Sequence, residues 1–305
     1  MRVIITGGTG FQGRPLSANL VNAGYEVIVL SRNPQAYKEQ LPSGVRIEQW
    51  DGQSAQGWGM LAEGAEAIIN MAGENMAAGR WTEKSKQIIR SSRINAGKAV
   101  TEAIAQAKDK PKVVIQSSSV GYYPSGSDQV LTEESPNGND FQASVCLDWE
   151  ASTVLVEQSG VRRVVIRTGL PLSPEGGVLG RYLLPFKLFA GGPLGSGKQW
   201  TPWIHMADQI GAIRFLLENP LTSGIYNLCS PNPVSNKQFA QAIGKAMGRP
   251  SVVPVPGFAL NMVFGEMADE MLLVGWRALP KRLQEAGYVF RFPEIGPALQ
   301  DLLKK

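Results

Sequence analysis

Short apolar runs alternate with amphipathic segments through the first two-thirds of this chain. The apolar runs, which are typical of buried strands, occur at residues 2–6, 25–31, 45–51, 65–73, 112–119 and 162–169. Amphipathic segments with the apolar spacing of one helix face occur at residues 10–24, 82–108 and 140–160. Apolar strands that alternate with helices predict a parallel sheet covered on both faces. The pattern therefore predicts an α/β fold built on a doubly wound parallel sheet.

The alternation ends near residue 170, where Gly and Pro become frequent. Later segments predict helices at 206–219 and 236–248 and a strand at 224–228. We therefore expect a nucleotide-binding domain at residues 1–170 and a smaller, mixed α/β C-terminal lobe at residues 171–305. Parts of residues 200–230 are expected to complete the sheet, so the lobe is discontinuous.

The most apolar late segment is residues 258–274. It contains Glu266, Asp269 and Glu270, so it predicts a Met-rich amphipathic helix rather than a membrane span. The first residues lack the long apolar core of a secretion signal. We therefore expect a cytoplasmic protein without a membrane partner.

Composition narrows the functional classes further. The chain has 305 residues, 43% hydrophobic and 18% charged, which are values of a folded globular protein. Its net charge of +4 is spread along the chain without a basic and aromatic run, so we expect no nucleic-acid partner. Cys146, Cys229 and the single His205 are too few for a disulfide framework or a protein-built metal site.

A glycine-rich loop joins the first strand to the first helix. Gly7, Gly10 and Gly13 have the spacing and the strand-to-helix context that a dinucleotide-binding loop requires. The first glycine permits a tight turn, the second lets the backbone approach a pyrophosphate, and the third lets the helix pack closely. The helix N-terminus offers free N–H groups to the anion. This loop predicts a Rossmann sheet that binds a nicotinamide dinucleotide.

The end of the second strand distinguishes the two nicotinamide nucleotides. NAD binders usually have an acidic residue there, whereas this chain has Ser31 and Arg32. A guanidinium can pair with a 2′-phosphate, so we expect NADP(H) as the cofactor. Asp51, after the third strand, either accepts from the adenine amino group or serves the turn before Gly52.

Because the carboxyl ends of parallel strands meet at one edge, loop residues after other strands join the expected cofactor site. The expected cofactor-binding residues are Thr6, Gly7, Gly10, Phe11, Gln12, Gly13, Ser31, Arg32, Asp51, Met71, Ala72, Gly73 and Ser117.

Several motifs resemble the epimerase/dehydratase branch of the extended short-chain dehydrogenases/reductases. They are "TGGTGFQG", "NMAGE", "SRIN", "SSSVGYY" and "WIHMADQ". The segments "AGENMAAGRWTEKSKQIIRSSRI", "VGYYP" and "DWEA", and residues 264–299, are similar to one atypical NAD(P)-dependent epimerase subfamily. That subfamily has a characteristic C-terminal domain of unknown function, here expected at residues 250–300. The resemblance spans nearly the whole chain.

The resemblance implies that a small-molecule substrate binds between the sheet and the lobe. In the superfamily a Ser polarises the substrate, and a Tyr with a Lys four residues later passes a proton. Ser118 matches the serine by position, with Ser117 and Ser119 as rivals. The Tyr and Lys positions carry Phe141 and Val145. None of the seven tyrosines in this chain is followed four residues later by Lys.

Other side chains are candidates for the missing proton transfer. Tyr122 or Tyr123 could be the acid, or both could wall the nicotinamide pocket. Glu150 could be a base in a desolvated cleft, or could brace its helix. Cys146 could be a nucleophile only if it is exposed beside a positive group; otherwise it belongs to the core.

Three more residues invite a functional interpretation. The resemblance implies a structural hydrogen bond for His205. Lys198 and Trp200 lie in a Gly-rich segment that is either a substrate loop or an ordinary surface loop.

Two functions follow from these residues. The first is an NADP(H)-dependent oxidoreductase or epimerase-like enzyme that acts on a small molecule without Tyr and Lys. The alternative is a non-catalytic NADP(H) sensor or scaffold. An open cleft at the nicotinamide face would favour the enzyme. A homodimer through the long helix at 82–108 is a further hypothesis, because relatives in the superfamily often pair there.

Overall fold

A parallel sheet of seven strands forms the centre of the protein. The computed structural model describes residues 1–304. The strands are β1 Arg2–Thr6, β2 Glu26–Ser31, β3 Val45–Gln49, β4 Ala67–Asn70, β5 Val113–Ser119, β6 Arg162–Thr168 and β7 Gly224–Leu228. Their spatial order is β3-β2-β1-β4-β5-β6-β7, and every neighbouring pair is parallel. This arrangement confirms the Rossmann-type, doubly wound α/β fold.

Helices cover both faces of the sheet and build the lobe. They are α1 Gly13–Asn22, α2 Pro34–Tyr37, α3 Glu83–Gln106, α4 Phe141–Ala151, α5 Gly177–Lys187, α6 Met206–Glu218, α7 Asn236–Met247, α8 Gly257–Phe264, α9 Lys281–Glu285 and α10 Ile295–Leu303. Short 3₁₀ helices occur at Lys38–Gln40, Gly59–Ala62, Val120–Tyr122 and Val154–Ser159.

The alternation of side chains along each strand divides the core into two layers. In β1, Val3 and Ile5 pack in one cluster with α1 and α6. Ile4 points the other way and packs with α3. Because both faces are covered, the strands are apolar throughout, as the sequence pattern predicted. The strand order reverses between β1 and β4, which opens a crevice at the carboxyl edge of the sheet.

The helix caps follow local sequence. Thr82 caps α3 by accepting from the Ser85 amide, and Ser85 returns the bond to the Thr82 backbone. Ser235 caps α7 in the same way with Gln238. Gly24 has a φ of +86° just beyond α1, a conformation that suits glycine at a helix end. These caps confirm the helix starts and the stop that the sequence predicts.

The lobe has its own core. Leu179 and Phe186 of α5, Phe239 of α7 and Leu299 of α10 are fully buried together. Two short strand pairs lie nearby, Leu170–Leu172 with Trp203–His205 and Trp200–Thr201 with Val234–Ser235. A third pair, Val130–Leu131 with Arg277–Ala278, ties the end of the chain to the loop after β5. The division into domains at residue 170 stays a prediction.

Two helix predictions were wrong in extent. The segment 258–274 is not one helix, because α8 ends at Phe264 and a separate π-helical turn follows at Ala268–Leu272. Gly265 between them has a φ of +59°, which turns the chain out of the helix. The segment 140–160 also divides: α4 ends at Ala151, and the Ser152 hydroxyl donates to the Trp149 carbonyl. No helix within residues 1–304 is long and apolar enough to cross a membrane.

Candidate cofactor and substrate cleft

A deep cleft separates the carboxyl edge of the sheet from the lobe. Its volume is about 1510 Å³. The glycine loop and the ends of β2, β4 and β5 line one half. We call the other half the upper cleft; helices α5 and α8 and residues 271–276 line it. The two halves form one continuous space, large enough for a dinucleotide and a second molecule.

The glycine loop has the geometry that an anion requires. Gly7 has a φ of +72°, and a Cβ there would lie 2.7 Å from the Met71 carbonyl oxygen. A Cβ on Gly13 would lie 2.4 Å from the Gly7 carbonyl oxygen, so α1 packs tightly on the loop. The amides of Phe11, Gln12 and Gly13 donate to no acceptor among residues 1–304. They are available to a phosphate at the positive end of α1.

Thr6 supports this loop from below. Its hydroxyl donates to the Asn70 Oδ1 (2.6 Å) and accepts from the amides of Met71 and Ala72 (both 3.1 Å). Asn70 in turn donates to Gln116 Oε1 (2.8 Å), so polar bonds link β1, β4 and β5 beneath the cleft. Thr6 is fully buried. Thr6 is not among the residues that line the cleft; its hydrogen bonds position the loops that do.

The end of β2 offers a free cation. Arg32 is exposed and lines the cleft, and no ion pair or hydrogen bond of its guanidinium exists within residues 1–304. Its aliphatic stem lies against Gly52, where a Cβ would be 3.3 Å from Arg32 Cδ. Ser31 is buried, and its hydroxyl accepts from the Asn33 amide (3.2 Å). The cation therefore projects from a well-ordered turn.

Asp51 is committed to its own turn. Its Oδ1 accepts from the amides of Gln53 (2.7 Å) and Ser54 (2.9 Å), and its Oδ2 accepts from the Ser54 hydroxyl (2.6 Å). Desolvation opposes the charge, but these hydrogen bonds hold the pKa of Asp51 below its ordinary value. Of the two alternatives for Asp51, this geometry favours the turn.

Loop residues place further groups in the cleft. Met71, Ala72, Gly73 and Ser117 line it at the ends of β4 and β5, as the topology predicted. The ring of Phe11 reaches the lobe, where a Cβ on Gly177 would lie 3.0 Å from it. Gln12 accepts from Gln209 of α6 (3.2 Å). The loop thus contacts the lobe as well as the sheet.

The Tyr and Lys positions of the superfamily are used for packing. The ring of Phe141 meets Trp81 edge to face, with centroids 4.9 Å apart. Val145 is buried in a cluster with Trp81, Ile89 and Met267. This cluster, which we call the α4 cluster, docks the segment after α8 onto α3 and α4. Neither position contributes a polar group to the cleft.

A buried polar network stands beside that cluster. Arg167 of β6 is almost fully buried and pairs with Glu150 of α4 through two bonds (2.8 and 2.9 Å). Glu150 also accepts from the Ser118 hydroxyl (2.6 Å). Arg167 donates to the Tyr123 hydroxyl (3.1 Å), which donates to Asn227 (2.7 Å). The network joins β5, α4, β6 and β7.

This network contains three of the four expected catalytic residues, Ser118, Tyr123 and Glu150. Tyr123 is fully buried, and burial raises the pKa of its hydroxyl, so it is a poor acid in this position. Glu150 and both tyrosines lie outside the cleft lining, and the ring of Tyr122 stacks on the Arg167 guanidinium (3.3 Å). The Ser118 hydroxyl donates its hydrogen bond to Glu150. Ser117, Ser118 and Ser119 all line the cleft, and of these three only Ser117 makes no side-chain hydrogen bond within residues 1–304.

The remaining candidate residues are Cys146, His205, Trp200 and Lys198. Burial raises the pKa of the Cys146 thiol to about 12, which argues against a nucleophile. His205 Nδ1 accepts from the Ala207 amide (3.0 Å) and caps α6, as its structural interpretation requires. Trp200 lines the cleft and donates to Asp128 (2.9 Å), whereas Lys198 is exposed and outside the lining.

Two buried cations were missed as site residues. Arg167 directly follows the apolar run Val164–Ile166 of β6, a pattern that could have indicated a buried partner. Arg93 on α3 is buried and lines the cleft beside Trp149. It lies four residues after Ile89 and three before Ala96, both buried on α3, so helical spacing could have indicated that it lies on the buried face.

Two family models match this chain. Residues 3–229 match the model of the NAD dependent epimerase/dehydratase family. The chain belongs to this family. Residues 255–302 match a second model, a domain of unknown function. The family assignment confirms the resemblance found in the sequence.

Relatives match the chain over its full length. The epimerase family protein YfhF of Bacillus subtilis is 39% identical, covering 99% of this chain and 98% of its own. The crystal structure of human epimerase family protein SDR39U1 with NADPH has a TM-score of 0.91 at 36% identity, covering 100% and 99% of the two chains. A UDP-galactose 4-epimerase, 18% identical with a TM-score of 0.77, shares the fold.

Proposed function

We propose that this protein binds NADP(H) in the cleft and acts on a small molecule as an oxidoreductase or epimerase-like enzyme. The observation that carries the proposal is the open cleft that runs from the glycine loop and the unpaired Arg32 into the lobe. A sensor that only held the cofactor would not need the upper cleft. The human relative crystallised with NADPH supports the choice of nucleotide.

The residues fit the cofactor in three places. The free amides at the start of α1 would receive the pyrophosphate. Arg32 would pair with the 2′-phosphate. Met71, Ala72 and Gly73 would border the nicotinamide end. A bound nicotinamide supplies hydride chemistry, and the residues of this chain would position the substrate and shield it from water.

The chemistry must proceed without a tyrosine acid. Of the three serines that line the cleft at the end of β5, Ser117 is the one whose hydroxyl is unbonded, so we assign it the polarisation of a substrate oxygen. A proton would come from water, because Tyr123 and Glu150 are held in the buried network. This arrangement suits a substrate that needs little acid catalysis.

The second candidate is a non-catalytic NADP(H) sensor. The α4 cluster favours it, because the superfamily's proton-transfer positions are filled by packing. NADPH oxidation measured with a panel of carbonyl compounds separates the two. Turnover that disappears in Ser117→Ala would support the enzyme, whereas tight binding without turnover of any compound would support the sensor.

The nucleotide assignment is tested by titrating purified protein with NADPH and NADH. We expect Arg32→Ala to weaken NADPH binding by about 10- to 100-fold, because a charge-assisted pair with the 2′-phosphate is lost. NADH affinity should stay the same. Arg46→Ala, which breaks a surface pair with Glu48 on β3, is the matched control. Unchanged NADPH affinity in Arg32→Ala, or equal losses for both nucleotides, would contradict the assignment.

A further inference from the structure

The upper cleft is lined mainly by apolar side chains. They include Pro185, Phe186, Leu260, Phe264, Met271 and Leu272. Among its few polar groups, Asn236 binds the Leu194 amide and the Tyr182 hydroxyl (2.8 and 2.9 Å), and Gln199 donates to the carbonyls of Leu194 and Leu272 (3.1 and 3.0 Å). A sugar would find few free hydrogen-bonding partners here, and burying its hydroxyls unpaired would oppose binding.

The apolar character continues at the helices beside the cleft. Leu184 of α5, Leu188 just after it, and Phe258 and Met262 of α8 are each more than 60% exposed. The cation in this half is Arg181, which is exposed and donates to the Ala77 carbonyl (2.6 Å). The upper cleft and its surroundings therefore favour a ligand with an apolar body.

Arg93 provides a different group on the floor of the same cleft. It is 8% exposed, and no carboxylate lies within ion-pair distance of it among residues 1–304. Its Nη1 donates to the carbonyls of Glu74 (2.9 Å) and Ile89 (3.0 Å). Burial lowers the pKa of Arg93 to about 10, so it remains charged at neutral pH. A buried cation without a counter-charge is costly, and an anionic ligand would remove that cost.

The surroundings of Arg93 lead towards the cleft. Its guanidinium lies over the Trp149 ring (4.8 Å), and the buried indole Nε1 of Trp149 has no hydrogen-bond partner. Gly73 lines the cleft above it, and a Cβ there would lie 3.0 Å from Arg93 Cζ. The Gly73 backbone therefore packs against the guanidinium, and both residues line the cleft. Arg93 is thus buried, charged and reachable from the ligand space.

The length of helix α4 gives the distance between Arg93 and the apolar side chains of the upper cleft. Trp149 marks the Arg93 end, and Gln142 donates to the Glu270 carbonyl beside Met271. Seven residues of helix separate Gln142 from Trp149, which is about 10 Å at the usual rise per residue. A bicyclic aromatic acid has about this length.

We propose that the substrate of this site is an apolar organic acid rather than a nucleotide sugar. Its carboxylate pairs with Arg93, and its body lies against Leu260, Met271 and Leu272. The proposal rests on the proposed function for the reaction that follows, but the recognition itself is a property of the cleft.

The test uses four probes on NADPH-saturated protein, with binding measured by calorimetry. They are 2-naphthoate, the neutral 2-naphthamide, acetate and UDP-glucose. We expect 2-naphthoate to bind at least 10-fold more tightly than 2-naphthamide, which lacks the charge, and than acetate, which lacks the body. Equal binding of acid and amide, or tighter binding of UDP-glucose, would overturn the proposal.

Variants test which residue binds the carboxylate of the probe and which binds its apolar body. Arg93→Met should remove the preference for 2-naphthoate over 2-naphthamide, whereas Arg93→Lys should retain most of it. Leu260→Asn should weaken both naphthyl probes and leave acetate unchanged. Arg90→Met, which removes an exposed cation of the same helix, is the control and should change nothing.

Measuring NADPH affinity in each variant distinguishes a cation that pairs with the carboxylate of the probe from one that pairs with the cofactor. If Arg93→Met weakens NADPH binding and leaves 2-naphthoate binding unchanged, the cation serves the cofactor and the proposal fails. If the wild-type protein does not bind NADPH, the proposed function fails instead. The probe titrations on the unloaded protein then still test recognition of the acid.

Discussion

The glycine loop after β1 and helix α4 stand beside the same cleft but are built differently. The loop makes its site from backbone amides, and Gly7 and Gly13 leave no room for a side chain. Helix α4 would make its site from side chains, and its two key positions hold Phe141 and Val145 in apolar packing. Backbone sites depend on shape, whereas side-chain sites depend on a few replaceable groups.

The difference between the glycine loop and α4 shows how the chemistry of a site can change while the fold stays the same. Replacing a loop glycine forces atoms to within 2.4–2.7 Å, so the loop tolerates few alternatives. Replacing a Tyr and a Lys by Phe and Val increases the apolar surface available for burial. The α4 cluster then docks the segment after α8, including Met267, onto α3 and α4. Packing in this region is thus coupled to the shape of the upper cleft.

The largest effect is expected from restoring the superfamily pair with Phe141→Tyr and Val145→Lys together. Val145 is 1% exposed, so an ammonium there would be buried among apolar groups. We expect the free energy of unfolding in urea to fall by about 3–5 kcal/mol, without a gain in NADPH oxidation. Phe141→Tyr alone should be nearly neutral. A stable double variant that reduces carbonyl compounds would contradict the difference drawn between the glycine loop and α4.

The next effect concerns the glycine loop. In Gly13→Ala the new Cβ would lie 2.4 Å from the Gly7 carbonyl oxygen, so α1 must move away from the loop. We expect a loss of about 1–3 kcal/mol in stability and at least a 100-fold loss in NADPH affinity. Gly79→Ala, which adds a methyl group in open space, is the control. Retained NADPH affinity in Gly13→Ala would show that the loop is less strict than its geometry implies.

A smaller effect is expected in the polar network. Tyr123→Phe removes the hydroxyl between Arg167 and Asn227, which should cost about 1–2 kcal/mol of stability. NADPH affinity should not change, because Tyr123 lies outside the cleft lining. Tyr122→Phe, whose hydroxyl makes no hydrogen bond within residues 1–304, is the comparison. Loss of turnover in Tyr123→Phe at unchanged stability would return this tyrosine to catalysis.

The smallest effect is expected at Cys146. Only the thiolate reacts with iodoacetamide, and a pKa raised to about 12 leaves about one thiolate in 10⁴ at pH 8. The folded protein should therefore be labelled at Cys146 far more slowly than the protein unfolded in urea, as followed by mass spectrometry. Rapid labelling of folded protein at this residue would indicate chemistry rather than packing on α4.

Local sequence was sufficient for most of the fold. The apolar runs predicted the six strands of the central sheet before residue 170, and "GIYNL" predicted the strand that completes the sheet. Thr82, Ser235 and Gly24 set helix ends through short-range bonds and backbone geometry. The glycine spacing and the residues after β2 indicated the cofactor loop, because backbone requirements leave a mark in a few consecutive residues.

The proton-transfer site could not be assigned in this way. Glu150 and Tyr123 looked available in sequence, yet Arg167 on β6 and Asn227 on β7 bind them in a buried network. Those partners lie between 17 and 104 residues away along the chain. Burial and hydrogen-bond partners arise only when distant strands meet, so tertiary structure alone determined which polar groups face the cleft.

The same reason applies to the boundaries and to the ligand space. Sequence periodicity joined residues 258–274 into one helix, but the chain turns at Gly265 to dock Met267 beside Val145. Arg93 was one of many cations in the sequence. Its burial beside Trp149, without a carboxylate, follows from the packing of α3, α4 and the loop after β4. The sequence was sufficient for the sheet and the cofactor loop, and long-range packing determined the substrate site.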